Sequence, residues 1–306
     1  VHLGASGRQR FARVRSHLFL LSWAAVKNAA HDDTQGRNMD LILRENAFLG
    51  ETHIVTGAAQ GIGFAVAEAL ARHGAQVAMV DLDAGRLEEA KAKIEDAAIS
   101  PIIVPANVSK EEDVVRAVSQ VLEVSDCING VVNVAGITRD ARITKKSYDD
   151  FNLVMSVHLG GTFLFTREIA NQHWHPLFKA NGNEPLDDGV NRFIVNFSSV
   201  SARNGNVGQV DYTAAKGAIE SVTRTTAREF SGYRVRVNAI APGPVNTPML
   251  AGVPEQGIEA MKRSTLLGKV AEPSELAATV VGMVCPMISG YTTGQIFAAN
   301  GGMYMA

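Results

Sequence analysis

Tyr212 and Lys216 stand four positions apart in "QVDYTAAKGAIESVTR", residues 209–224. On a helix, positions i and i+4 share a face, so the ammonium would lie beside the phenolic oxygen. A free tyrosine has a pKa of ~10 and is mostly protonated at neutral pH. An ammonium ~5 Å away, at an effective dielectric of ~20, favours the phenolate by roughly 3 kcal/mol, or about two pKa units. The spacing therefore predicts a general acid/base acting near neutral pH. Alone it is weak. With five tyrosines and ten lysines in 306 residues, it arises by chance in about one chain in six. Ser199 strengthens it, lying thirteen residues before Tyr212 at the end of the strand-like "RFIVNFSS". A hydroxyl there is placed to donate to a substrate oxygen.

A second group lies near the start of the regular pattern. "TGAAQGIG" carries Gly57, Gly61 and Gly63 between a strand-like "THIVTG" and a helical "GIGFAVAEALARHG". Glycines there allow a tight turn and bring the backbone close to a pyrophosphate at the helix N-terminus. Unpaired N–H groups and the helix dipole favour an anion at that point. A glycine triplet by itself is as often a plain turn. Here Asp81 ends the next strand eighteen residues past Gly63, near the ~20 of dinucleotide-binding units. Its carboxylate can accept from both adenosine ribose hydroxyls and would repel a 2′-phosphate, and no Arg follows at once. The expected cofactor is NAD (NADH), with NADP disfavoured.

Positioning these groups requires an alternation of strands and helices, and the chain has one. Short β-branched or apolar runs at 52–57, 76–81, 101–106, 130–136, 192–198, 234–243 and 293–302 are separated by helical-period stretches. That pattern predicts an α/β fold, a doubly wound parallel sheet of about seven strands with helices on both faces. No linker splits residues 47–306, which read as a single domain. In a doubly wound sheet ligands bind outside the carboxyl ends of the strands, where Ser199 and the start of the Tyr212 helix converge.

Composition narrows the partners. Hydrophobic residues at 46% and charged residues at 20% describe a folded globular chain. A net charge of −2 gives no reason to expect nucleic acid or an anionic membrane. No run reaches the ~18–20 apolar residues of a membrane span. Cys127 and Cys285 form no CxxC pair and read as reduced, buried thiols of an intracellular protein. His173 and His175 lack a third ligand, so no metal is expected and "HWHPLFKANGNEPLDDGVN" (173–191) reads as a loop. Residues 1–46 stand apart: Arg8, Arg10, Arg13, Arg15 and Lys27 precede the first acid, Asp32. The stretch reads either as a mitochondrial transit peptide or as non-native sequence upstream of a start at Met39. The first places the protein in the mitochondrial matrix, the second in the cytoplasm.

In motif order, "TGAAQGIG", the "NVAG" of 133–136, Ser199, "YTAAK" and "NAIAPGPVNTPM" (238–249), the chain resembles the short-chain dehydrogenase/reductase family over nearly all of 51–303. The resemblance implies a Rossmann fold and hydride transfer between nicotinamide and a carbonyl or secondary alcohol. It makes Ser199, Tyr212 and Lys216 catalytic, with Lys216 also holding the nicotinamide ribose. It implies a cofactor site built from Gly57, Gln60, Gly61, Ile62, Gly63, Asp81, Leu82, Asn107, Val108, Asn133, Ala135 and Gly136. Tyr212, Lys216, Pro242, Gly243, Val245 and Thr247 complete it, Thr247 holding the carboxamide. Within the family, "GITRDARITKKSYDDF", "GNVGQVDYTAAK" and "GQIFAANGG" look most like 3-oxoacyl-[acyl-carrier-protein] reductases and type 8 17β-hydroxysteroid dehydrogenases. The implied substrate is an acyl thioester or steroid, the setting lipid metabolism, and the assembly a homo- or heterotetramer.

Two positions depart from the family pattern. Asn107 stands where Asp is usual, and its carbonyl is expected to accept from the adenine amino group. His158, in "VMSVHLGGTF", stands where the family has a fourth catalytic residue, Asn. The imidazole is either a relay titrating near neutral pH, a tolerated replacement on a buried helix face, or a lesion. The lesion would make the chain a weakly active NAD-binding subunit of a hetero-oligomer. Residues 247–269 read either as a mobile apolar lid, which favours an apolar substrate, or as an amphipathic helix packed on the core.

Overall fold

The computed structural model describes residues 46–94, 97 and 99–305. The leader or non-native start expected before residue 46 lies outside the described residues. Seven strands, β1 (Thr52–Thr56), β2 (Gln76–Asp81), β3 (Ile102–Pro105), β4 (Gly130–Asn133), β5 (Arg192–Phe197), β6 (Val235–Ile240) and β7 (Ile296–Phe297), form one sheet. Its order is β3-β2-β1-β4-β5-β6-β7, and every pairing is parallel. Both faces are covered, which is why the strands are continuous apolar runs rather than alternating ones. Successive residues still separate by face. Val55, Val132 and Phe193 enter one apolar cluster, while Ile54, Val131 and Ile194 enter the other.

Helices α1 (Gly61–Arg72), α2 (Ala84–Lys91) and α3 (Glu111–Val124) follow the first three strands. A long helix, α4, comprises Tyr148–Met155, Gly161–Ile169 and His175–Ala180, joined by π turns at Ser156–Gly160 and Ala170–Trp174. Then come α5 (Ser201–Asn204), α6 (Val210–Glu229), α7 (Glu255–Ser264), α8 (Pro273–Val284) and α9 (Pro286–Ser289). Val66 and Leu70 of α1 pack with Leu276, Val280 and Val284 of α8 on one face. Val114, Val118 and Val121 of α3 pack with Phe165, Ile169 and Trp174 of α4 on the other. Helix starts follow the capping rules. The Asp83 side chain accepts from Arg86 N at 3.1 Å, and Glu272 and Glu275 form a capping box around Pro273.

One expectation is corrected. Residues 173–180 are helical, because the Trp174 ring is fully buried and donates from Nε1 to Ile128 O at 3.0 Å, anchoring the last turns of α4. In the 247–269 segment, left open between a lid and a packed helix, a short turn at Pro248–Leu250 is followed by helix α7, none of whose residues is buried. Among the described residues, no helix is long and apolar enough to cross a membrane, and neither Cys127 nor Cys285 is in a disulfide.

Candidate active site

Strand order reverses between β1 and β4, and the loops leaving those strands meet there. Gly57 has φ +68°, and a Cβ on it would lie 2.9 Å from Ala135 Cα. A Cβ on Gly63 would lie 2.0 Å from Gly57 O, so the first turn of α1 folds directly onto the end of β1. The Thr56 hydroxyl binds the loop after β4, accepting from Val134 N at 3.0 Å and Ala135 N at 3.1 Å. Sequence reasoning passed over Thr56. Its only signal is a hydroxyl residue at the last position of a strand before a glycine turn.

The mouth of this turn suits an anion. Gln60 at the N-cap makes no side-chain cap, and no acid stands in the first turn of α1. The amides opening the helix are thus left for a ligand, as a pyrophosphate requires. Thr247, from the loop after β6, closes over the turn, its Cγ2 3.4 Å from where a Gly61 Cβ would be. Asn133 spans β4 and β5 by donating to Asn196 Oδ1 at 2.9 Å, while its own Oδ1 is buried without a partner. The residues present fit a dinucleotide.

At the adenosine side, Asp81 Oδ2 accepts from Ala59 N at 3.1 Å and Oδ1 from Leu82 N at 2.7 Å. These bonds fix the carboxylate at the end of β2, with lone pairs left for ribose hydroxyls. Asn107 departs from expectation. Its Oδ1 accepts from both the N–H of Ser109, at 3.0 Å, and its hydroxyl, at 2.7 Å. Both lone pairs are occupied, so the amide end it has left for a base is a donor. Val108 is buried against Gly161, and the Leu82 side chain is exposed.

Just past the carboxyl end of β5, the Ser199 hydroxyl stands beside the Tyr212 phenol, and Ser199 Oγ accepts from Ser201 N at 3.1 Å. Lys216 Nζ donates to Phe197 O at 2.6 Å and lies 5.5 Å from the Tyr212 ring centre. The electrostatics correct the sequence expectation. Burial pushes the Lys216 ammonium down to about 7. Burial also raises Tyr212 above the ordinary phenol range, the neighbouring Ser199 hydroxyl offsets part of the rise, and the Asp140 carboxylate adds a little to it. Both partners are desolvated, so the lysine is not a full cation at neutral pH and the phenol is not acidified.

His158 sits in the first π turn of α4, 2% exposed, its ring edge-on to Tyr212 at 5.2 Å. Burial, with a smaller repulsion from Lys216, drops its pKa to about 3. It is therefore neutral at physiological pH, which removes the reading of a relay titrating near neutrality. Its Cε1 occupies the space a Gly136 Cβ would need, 2.2 Å away. Pro242 O accepts from Val200 N at 3.1 Å, and Gly243 packs against Asn300, its virtual Cβ 2.9 Å from Asn300 O. Val245 is buried and bridges Ala271. A cavity of about 660 Å³ lies beside Thr247, with Leu250, Ile258 and Lys262 in its wall. Among the described residues, no three His, Cys, Asp or Glu side chains gather as a metal site, and His175 Nδ1 instead meets Tyr233 OH at 2.9 Å.

A family model described as enoyl-(acyl carrier protein) reductase matches residues 57–304. The chain is similar to the 3-oxoacyl-[acyl-carrier-protein] reductase of Aquifex aeolicus, 35% identical over 263 residues that cover 83% of this chain and 98% of that protein. It is likewise similar to the (3R)-3-hydroxyacyl-CoA dehydrogenase of Canis lupus familiaris, 34% identical over 261 residues, covering 82% and 95%. Among solved structures, a 3-ketoacyl-(acyl-carrier-protein) reductase of Brucella melitensis complexed with NADH superposes with TM-score 0.73 at 29% identity, over 84% of this chain and 99% of that one.

Proposed function

Because the chain belongs to the short-chain dehydrogenase/reductase family and is an oxidoreductase of carbonyl and secondary-alcohol groups, we propose that its reaction is NADH-dependent reduction of a 3-oxoacyl thioester, or the reverse. The observation that carries this reading is the grouping of Ser199, just past the end of β5, with Tyr212 and with Lys216, whose Nζ lies 5.5 Å from the phenol ring centre. That arrangement stands at the strand ends beside the glycine turn. Bound nicotinamide would supply or take the hydride. Ser199 donates to the substrate oxygen and orients it, and Tyr212 exchanges the proton with that oxygen. Lys216 would hold the nicotinamide ribose, and contact with those hydroxyls restores the charge that burial suppresses.

Asp81 supports NADH over NADPH, since a 2′-phosphate would meet its carboxylate. The exposed apolar side chains of Met249, Leu266 and Leu267 near the site support an acyl chain as substrate. Two separate apolar patches, on α4 and around α9, support assembly as a tetramer.

The test is oxidation of NADH and of NADPH by the purified chain, with acetoacetyl-CoA and a panel of 17-ketosteroids ranked by kcat/KM. The thioester with NADH should rank first, and Tyr212→Phe should cut kcat by roughly 10²–10⁴-fold. Tight NADH binding without turnover would instead favour the weakly active subunit of a hetero-oligomer. The departures at His158 and Asn107 are what keep that second reading in view.

A further inference from the structure

The loop that leaves β4, residues 137–147, is fastened to the active site at both ends. At its start the Ile137 N–H lies 3.0 Å from His158 Nε2. In its middle Ala141 N donates to Gly208 O at 2.9 Å, and Gln209 Nε2 donates to both Asp140 oxygens, at 3.2 and 3.0 Å. At its end Lys146 Nζ binds Asp211 Oδ2 at 2.8 Å, with side chains only 4% and 1% exposed. The same ammonium donates to Arg139 O, and the other Asp211 oxygen accepts from Tyr212 N at 2.9 Å. One buried cation therefore joins the loop backbone beside Asp140 to the carboxylate that holds the Tyr212 amide.

A buried ion pair seldom stabilises a fold more than apolar residues of equal volume would, because both charges lose their water. Its contribution here is geometric. We infer that the Lys146–Asp211 pair is a positioning device of the active site, holding the 137–147 loop and its Asp140 carboxylate at a fixed separation from the Tyr212 hydroxyl. The inference rests on Tyr212 being the acid/base proposed above. The groups facing Tyr212 are Lys216 and Asp211 from α6, Ser199 from the end of β5, neutral His158 from α4, and Asp140 from the loop. Of these, Asp140 is the anion whose distance depends on the loop. It disfavours the phenolate, so releasing the loop should make Tyr212 more acidic.

Lys146→Met alone strands a buried carboxylate and is apt to unfold the chain. The pair is therefore removed together, as Lys146→Met/Asp211→Asn, which keeps an oxygen for Tyr212 N. The full chain is assayed with NADH and acetoacetyl-CoA. Independently of turnover, Tyr212 is titrated by NMR of ¹³C-labelled tyrosine, with Tyr212→Phe to assign its signal. The expected result is unchanged NADH affinity with kcat lowered about ten-fold. The Tyr212 titration should move down by about half a pH unit. Asp140→Asn should move it by the same amount, and combining the three substitutions should add nothing further. An unmoved Tyr212 titration, or a loss of NADH affinity in step with turnover, would overturn the inference. Full turnover in Tyr212→Phe would instead overturn the acid/base reading, while the NMR titration still decides the role of the pair.

Discussion

His158 Nε2 lies 3.0 Å from the Ile137 N–H and 2.7 Å from the Ile137 carbonyl, and one imidazole nitrogen can serve only one of them. Either tautomer leaves Nδ1 buried without a protein partner. An asparagine amide carries a donor and an acceptor and can serve both groups at less volume. We expect His158→Asn to leave kcat equal or raised, and a large fall in steady-state kcat would contradict this. Lys216 has a different consequence. Its pKa is about 7 in the folded protein against an ordinary 10.5. Below pH 7 both folded and unfolded chains carry the charge, and the folded chain bears its burial. Between 7 and 10.5 the unfolded chain binds more protons, so stability rises with pH. Replacing the group by Lys216→Met should therefore raise the melting temperature, by more at pH 6 than at pH 9, in parallel thermal melts. An equal gain at both pH values would show that the lysine is not buried as a cation.

At the scale of elements, the turn from β1 to α1 tolerates no added atom. A Gly63 Cβ would meet Gly57 O at 2.0 Å, a backbone group that cannot rotate aside. Gly63→Ala should cost about 1–3 kcal/mol of stability by overpacking and lower NADH affinity sharply, read by calorimetric titration beside a urea melt. Normal affinity would mean that the turn does not hold the nucleotide. The sequence revealed this element because glycine position, strand end and Asp81 are local signals that repeat a known physical requirement. β2 falls on the residues expected, since its apolar run is bounded by polar Gln76 and Asp81. The last turns of α4 were illegible for the opposite reason: "HWHPLF" contains Pro176 and two histidines, and only the tertiary burial of Trp174 makes it helix. The Lys146–Asp211 contact was equally hidden, as its partners stand 65 residues apart. The raised Tyr212 pKa escaped because spacing reports the neighbour of a charge and says nothing about how much water both have lost.

For the whole molecule, the deciding feature is apolar surface left exposed among the described residues. Phe163 and Leu153 of α4 are 49% and 40% exposed, and Val210, at the start of the α6 helix that packs on the Tyr148–Met155 part of α4, is exposed as well. A second patch joins Met287 and Ile288 of α9 to Tyr291, ahead of β7, the two-residue strand at one edge of the sheet. Patches of this kind mark association surfaces. One self-complementary patch closes a dimer about a twofold axis, and a second, separate patch joins two dimers into a tetramer with dihedral symmetry. The chain should then sediment as a tetramer, and Phe163→Glu, which places a charge at one contact only, should yield dimers held through the α9 patch. Tyr291→Glu should yield dimers of the other kind, and the double variant should yield monomers. Since Phe163 lies on α4, which also carries His158, the Phe163→Glu dimer should lose turnover while the Tyr291→Glu dimer retains it. Monomeric wild-type protein at micromolar concentration, by sedimentation velocity, would leave both patches without the role argued for them.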